Sequence, residues 1–149
     1  MTSFDKIMTD KERLLKDLCS RLNTNLVCSI YRTDDEGIGY RDEVLHGYCK
    51  GDIWYEFYFR EDCSIGIDNV SKIKPYLLPL SSMTEEQKRE YNRLKHDVQV
   101  CHYEYGDVVE EIELYESSLS FEYLIENHFD VYDLIPLGLA KDASGLNLY

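Results

Sequence analysis

The chain has 149 residues, with 16 Lys and Arg against 29 Asp and Glu, a formal net charge of −13. A chain this acidic is repelled by nucleic-acid phosphates and by anionic lipid surfaces, which weighs against direct nucleic-acid binding and against membrane association. Its 44% hydrophobic and 13% aromatic content excludes a disordered acidic tail, because enough apolar mass is present to offset chain entropy. A length near 150 residues suits one α+β domain over 1–149, able to bury roughly 68–70% of its unfolded surface.

Five cysteines, Cys19, Cys28, Cys49, Cys63 and Cys101, stand at wide spacings with no CxxC. An odd, scattered set implies reduced thiols rather than a disulfide framework. Met1 to Met8 lacks the apolar core of a signal peptide, and no run approaches the roughly 20 apolar residues of a membrane span. The expected location is cytoplasmic.

Thr9-Asp10-Lys11-Glu12 forms a capping box, and Leu14, Leu15, Leu18 and Leu22 follow at helical spacing, predicting a one-sided helix over 10–22. Leu26 to Tyr31 reads as a strand, and Thr33 to Gly37 as a charged turn. Val44–Lys50 and Ile53–Phe59 flank Gly51-Asp52, a hairpin signal. In the second of these strands Tyr55, Phe57 and Phe59 form the more apolar face and are expected to face the core. Cys63 to Ile67 reads as a short further strand.

Lys72 to Leu80 contains Pro75 and Pro79, which forbid helix, so an extended connector laid against the core is expected. A second capping box, Thr84 to Gln87, opens a polar surface helix over 85–96. Val98 to Tyr105 alternates and predicts a strand, whereas 107–116 fits neither period. Helices are expected over 118–128 and 130–137, the second with Asp130 as its N-cap and Gly138 as its stop. The predicted architecture is therefore a small antiparallel sheet of five or six strands with an N-terminal helix, a surface helix and two short C-terminal helices.

Two segments carry a resemblance. Ile73-Lys74-Pro75-Tyr76-Leu77-Leu78-Pro79-Leu80-Ser81-Ser82-Met83-Thr84-Glu85-Glu86 resembles the IKPYLRPMSSMTEEE segment of a family of small proteins from Bacteroidales genomes, phages and prophages. The stretch from Asn127-His128-Phe129-Asp130 to Leu137-Gly138-Leu139-Ala140 resembles the HHFDYRGLI-GLAL ending of the same family. Leu78 replaces a common Arg, and Val131-Tyr132-Asp133 replaces Tyr-Arg-Gly. The resemblance implies a mobile-element setting and carries no assigned activity.

The chemistry-bearing clusters argue against catalysis. His96, Asp97, Cys101 and His102 are near one another in sequence, but on a strand Cys101 and His102 would point to opposite faces, and structural zinc takes four ligands in paired spacings. No metal and no cofactor is expected. Cys49 near His46 lacks the surroundings of a cysteine nucleophile, and the negative field raises thiol pKa values. Asp34-Asp35-Glu36 and Glu61-Asp62 lack the length and ligand pattern of a calcium loop. Neither GxGxxG nor GxxxxGK[ST] occurs. No catalytic residue is assigned.

The remaining unusual property is an acidic surface rich in the chain's 13 tyrosines. Tyr103, Glu104, Tyr105, Asp107, Glu110, Glu111, Glu113 and Tyr115 are the candidate binding residues, since tyrosine offers contact area at low entropic cost and carboxylates steer a basic partner. Lysines and arginines concentrate near 11–21 and 88–95, and the acidic excess lies in the turns and over 104–137. The expected function is a non-enzymatic accessory protein of a phage or mobile element that binds a protein partner, itself basic or nucleic-acid-binding. The alternatives are a small-ligand binder or enzyme with a pocket built from side chains, an acidic DNA mimic, and a virion component.

Overall fold

The computed structural model describes residues 8–34, 37–50, 55–59, 63–104 and 119–149. It shows an α+β fold built on a six-stranded sheet of order β4-β3-β2-β1-β5-β6. Helix α1 (Asp10–Ser20) precedes β1 (Val27–Asp34), β2 (Gly37–Lys50), β3 (Tyr55–Phe59) and β4 (Cys63–Gly66). A 3-10 segment (Ile67–Lys72) leads to β5 (Ile73–Leu77), and helix α2 (Glu85–Glu104) follows. Residues 119–126 form helix α3, and β6 (Lys141–Asp142) completes the sheet. All pairings are antiparallel except β5 with β6.

The start of α1 is the predicted capping box. Thr9 Oγ1 accepts from the Glu12 N–H at 3.1 Å, and the Thr9 N–H donates to the Glu12 carboxylate at 3.4 Å. Leu14 and Leu18 then turn into the core, meeting Cys28, Ile30, Ile73 and Leu77 from one face of the sheet. Burying each such leucine contributes roughly 1.5–3 kcal/mol. In β3 the predicted apolar face is the core face for Phe57 and Phe59, which are fully buried, while Tyr55 is exposed at the strand's start and stacks on Tyr48 at 5.4 Å. A bulge between Leu45 and Gly47 lets both Leu45 and Tyr48 face inward.

Four expectations change. Ile73–Leu77 is a strand within the sheet rather than a connector: Cys28, Ser29 and Ile30 of β1 lie opposite Pro75, Lys74 and Ile73. Pro75 is tolerated because the parallel pairing with β6 involves only Tyr76 and Leu77, so no donor is required of it on that side. The predicted strand over 98–105 is replaced by helix, since α2 continues to Glu104. Tyr91, Leu94, Val98 and Cys101 recur at three- and four-residue steps, so a helix already nucleated at Thr84 propagates through a stretch whose local alternation also suits a strand. The described part of helix α3 covers 119–126 and gives way to a turn at 127–128, short of the predicted end at 128.

The fourth change is at 130–137, where the second C-terminal helix becomes a run of turns over 134–138. Asp133 adopts a left-handed φ of 58°, which breaks a helix before it begins. Asp130 therefore caps no helix; its carboxylate instead accepts from the Leu134 and Ile135 N–H groups of these turns, both at 2.9 Å. The Gly51-Asp52 hairpin loop and the 107–116 segment lie outside the described residues.

A buried ion pair joins these parts. Asp17 and Arg21, one helical turn apart at the end of α1, are both fully buried. The Arg21 Nε and Nη2 donate to the two Asp17 carboxylate oxygens, each at 3.0 Å. The same guanidinium donates through Nη1 to the Ile125 carbonyl at 3.3 Å and through Nη2 to the Phe129 carbonyl. Burial raises the Asp17 carboxyl above its ordinary range, opposed by the charge and hydrogen bonds of Arg21.

His128 stands beside this node with a left-handed φ of 64°. Its ring stacks on Tyr149 at 3.5 Å, and the Tyr149 hydroxyl donates to the Tyr76 carbonyl at 2.9 Å and accepts from the Val27 N–H at 3.0 Å. Burial, aided by the Arg21 charge, lowers the His128 pKa to about 4.

Arg21→Met leaves Asp17 buried without its cation and is expected to destabilise the fold by about 3–5 kcal/mol, with partial recovery in Asp17→Leu/Arg21→Met, read from urea denaturation midpoints. His128 is neutral when folded, while its unfolded form takes up a proton below about pH 6.5. Its contribution is therefore complete above that pH and is lost as pH falls toward 4. Asp17, raised on folding, acts with the opposite sign. His128→Asn, which accommodates the left-handed backbone, is expected to reduce the loss of urea midpoint between pH 7.5 and 5.

Candidate functional site

The site follows from the register of the first hairpin. Asp34 pairs with Gly37, so Thr33 lies opposite Ile38, Tyr31 opposite Tyr40, Ser29 opposite Asp42 and Val27 opposite Val44. Gly37, at φ 138°, occupies a conformation that favours glycine immediately after the loop. Strand alternation puts the side chains of Val27, Ser29, Tyr31, Ile38, Tyr40, Asp42 and Val44 on the face opposite the one that receives α1. Ser29 opposite Lys74 adds Lys74 and Tyr76 of β5 to this face, and Tyr76 opposite Lys141 adds β6.

This face is paved with tyrosine. Tyr31 and Tyr40 meet edge to face with ring centres 5.2 Å apart. Lys141 Nζ lies 5.3 Å from the Tyr40 ring centre and 5.8 Å from that of Tyr76, so one ammonium spans two rings. Tyr76 reaches across β1 and donates its hydroxyl to Asp42 Oδ1 at 2.9 Å. Burial first, and then the bond to Asp42, raises the Tyr76 phenol pKa. Toward the hairpin end the surface opens to solvent, with Ile38 76% and Tyr40 61% exposed. On the β3 side Tyr58 is also exposed, and its ring lies over Gly47, where a Cβ would sit 2.6 Å from the phenol oxygen.

A face of this kind presents aromatic area, an exposed aliphatic group and a few fixed charges. On such a face tyrosine supplies rigid amphipathic area.

The residues singled out from sequence lie elsewhere. Tyr103 and Glu104 occupy the last turn of α2. Tyr105, Asp107, Glu110, Glu111, Glu113 and Tyr115 lie outside the described residues. His96, Asp97, Cys101 and His102 fall within α2, so the opposite-face argument based on a strand no longer applies to them. Among the described residues no three His, Cys, Asp or Glu side chains gather as a metal site. Cys49 and His46 are both exposed on β2, whereas Cys28 is fully buried and burial pushes its thiol pKa up. No helix among the described residues is long and apolar enough to cross a membrane.

The tyrosine face had a sequence signal that composition concealed. A hairpin that pairs Asp34 with Gly37 also pairs Tyr31 with Tyr40, because the residue numbers of paired positions sum to a constant along it. Lys141 and Tyr76 have no comparable signal, since their pairing is set by the distant chain ends of the sheet.

No protein-family model, no curated protein sequence and no solved structure matches the chain.

Tyr76→Phe removes the bond to Asp42 without changing shape. It is expected to lower stability by about 1 kcal/mol in urea denaturation, because Asp42 is exposed and regains water.

Proposed function

We propose that this chain is a non-enzymatic accessory protein that binds another protein through the open face of β1, β2, β5 and β6. The observation that carries the reading is the exposure of Ile38 and Tyr40 at the end of a tyrosine-paved sheet face. Large apolar side chains held in the open by regular strand pairing cost solvation, and a partner's surface would remove that cost. Tyr31, Tyr58 and the Lys141 ammonium extend the same surface with contacts that suit a mixed polar and apolar partner.

The −13 charge of the chain favours a basic partner and accelerates its approach, with the acidic stretch from Glu104 to Tyr115 as a source of that field. The resemblance of the Ile73–Glu86 and Asn127–Ala140 segments supports a phage or mobile-element setting for this role.

Ile38→Asp and Tyr40→Ala alter exposed positions and are expected to change stability by no more than about 0.5 kcal/mol. Affinity capture with the wild-type chain is expected to retain a host or phage protein that both variants lose at equal bait loading. Identical recovery by wild type and variants would remove this face from the reading.

A further inference from the structure

Tyr76 and Lys141 stand side by side on β5 and β6, and the Tyr76 phenol crosses β1 to reach Asp42 on β2. Ser29 of β1 lies opposite Asp42 on one side and Lys74 on the other. It belongs to the open face yet is fully buried, because the Tyr76 side chain passes over it. Tyr40 completes the group from β2. The Lys141 ammonium is 5.3 Å from the Tyr40 ring centre and 5.8 Å from that of Tyr76, within the roughly 6 Å at which a ring face attracts a cation. Two rings and a carboxylate thus bound a small cage, with Tyr76 buried on its inner side and Tyr40 exposed on its outer side.

The cation in this cage comes from the chain itself. Among the described residues Lys141 meets the two rings and makes no ion pair. Asp42, exposed at the rim, is bonded to the Tyr76 hydroxyl and not to Lys141. Lys141 extends from a strand of two residues at the edge of the sheet. Holding a long, flexible side chain over two rings costs rotamer entropy, and its release returns a strongly hydrated ammonium to water. The occupant is therefore exchangeable. A second cation that reached both the rings and Asp42 would gain a charge-assisted contact that Lys141 lacks.

We infer that the Tyr40–Tyr76–Asp42 cage receives a lysine side chain of the partner, with Lys141 as its resident stand-in. The inference rests on the partner-binding reading of the open face and names the chemistry of that contact. The cage already admits an ammonium, and the chain's charge of −13 favours a basic partner.

The test is titration of the ¹³C,¹⁵N-labelled chain with Nα-acetyl-lysine methylamide, with Nα-acetyl-norleucine methylamide as its uncharged counterpart, at constant ionic strength. In the free chain the Lys141 Hε protons, lying over ring faces, are expected upfield of those of the other lysines. Saturating lysine probe is expected to return them to the ordinary position and to shift the Tyr40 and Tyr76 ring signals. Lys141→Ala removes the competing cation and is expected to bind the lysine probe about fivefold more tightly. The Ala143 amide, bonded to the Leu77 carbonyl, reports that β6 stays paired in this variant, and the wild-type displacement decides the matter if it does not. Tyr40→Leu added to Lys141→Ala is expected to abolish the gain. Equal binding of the norleucine probe, Lys141 protons that stay upfield throughout, or unchanged affinity in a paired Lys141→Ala chain would overturn the inference. A partner captured by the wild-type chain and lost in Ile38→Asp, with no binding of the lysine probe, removes the cage and keeps the face. Probe binding with no captured protein keeps the cage as a cation site and removes the partner-binding reading.

Discussion

The Asp17–Arg21 pair is the interaction on which the arrangement of the chain depends. A guanidinium with no exposed surface must find a partner for each N–H, and only a few positions satisfy that demand. Arg21 places four of its five N–H groups on the two oxygens of Asp17 and on the Ile125 and Phe129 carbonyls, which lie more than a hundred residues away. The end of α1 is thereby joined to the end of α3 and to the chain immediately after it. The Leu78 N–H and carbonyl then pair with His128 and Asp130, so the segment leaving β5 is held to the same turn. The Ala143 N–H, bonded to the Leu77 carbonyl at 2.8 Å, carries the connection into β6.

That chain of contacts also positions the open sheet face. β6 sits beside β5 because the stretch from Phe129 to Ala143 is anchored at both ends, and Lys141 consequently lies beside Tyr76 and over Tyr40. Tyr76 in turn spans β1 to reach Asp42. The open sheet face therefore depends on polar contacts made on the opposite side of the sheet. The two faces divide the work: one carries α1 and the apolar cluster, while the other presents tyrosine rings and a few charges to solvent.

Local chemistry was readable wherever cause and effect lie within a few residues. Both capping boxes form with the hydrogen bonds their spacing implies, and Phe57 and Phe59 face the core as their alternation indicates. The strand over 98–105 was misread because β-branched valines favour a strand locally, whereas the helix that begins at Glu85 had already met the cost of nucleation. Pro75 follows a related logic: it forbids helix but permits a strand, because its missing donor falls beyond the pairing of β5 with β6. Of the candidate site, the acidic tyrosine-rich segment was visible as composition. The tyrosine face was visible only as a hairpin register, which requires the turn to be placed to the residue.

The amino-acid sequence by itself determined where helices begin, which strand residues are apolar enough to face inward, and a charge balance that disfavours polyanionic partners. Those properties arise from neighbouring residues and from sums over the chain. Tertiary structure decided that Arg21 is a buried tie rather than a surface charge, that Ile73–Leu77 enters the sheet, and that Lys141 meets Tyr40 and Tyr76. Each of these outcomes depends on partners remote in the chain, and the free energy of a buried charge or an added strand exists only once those partners have been brought together.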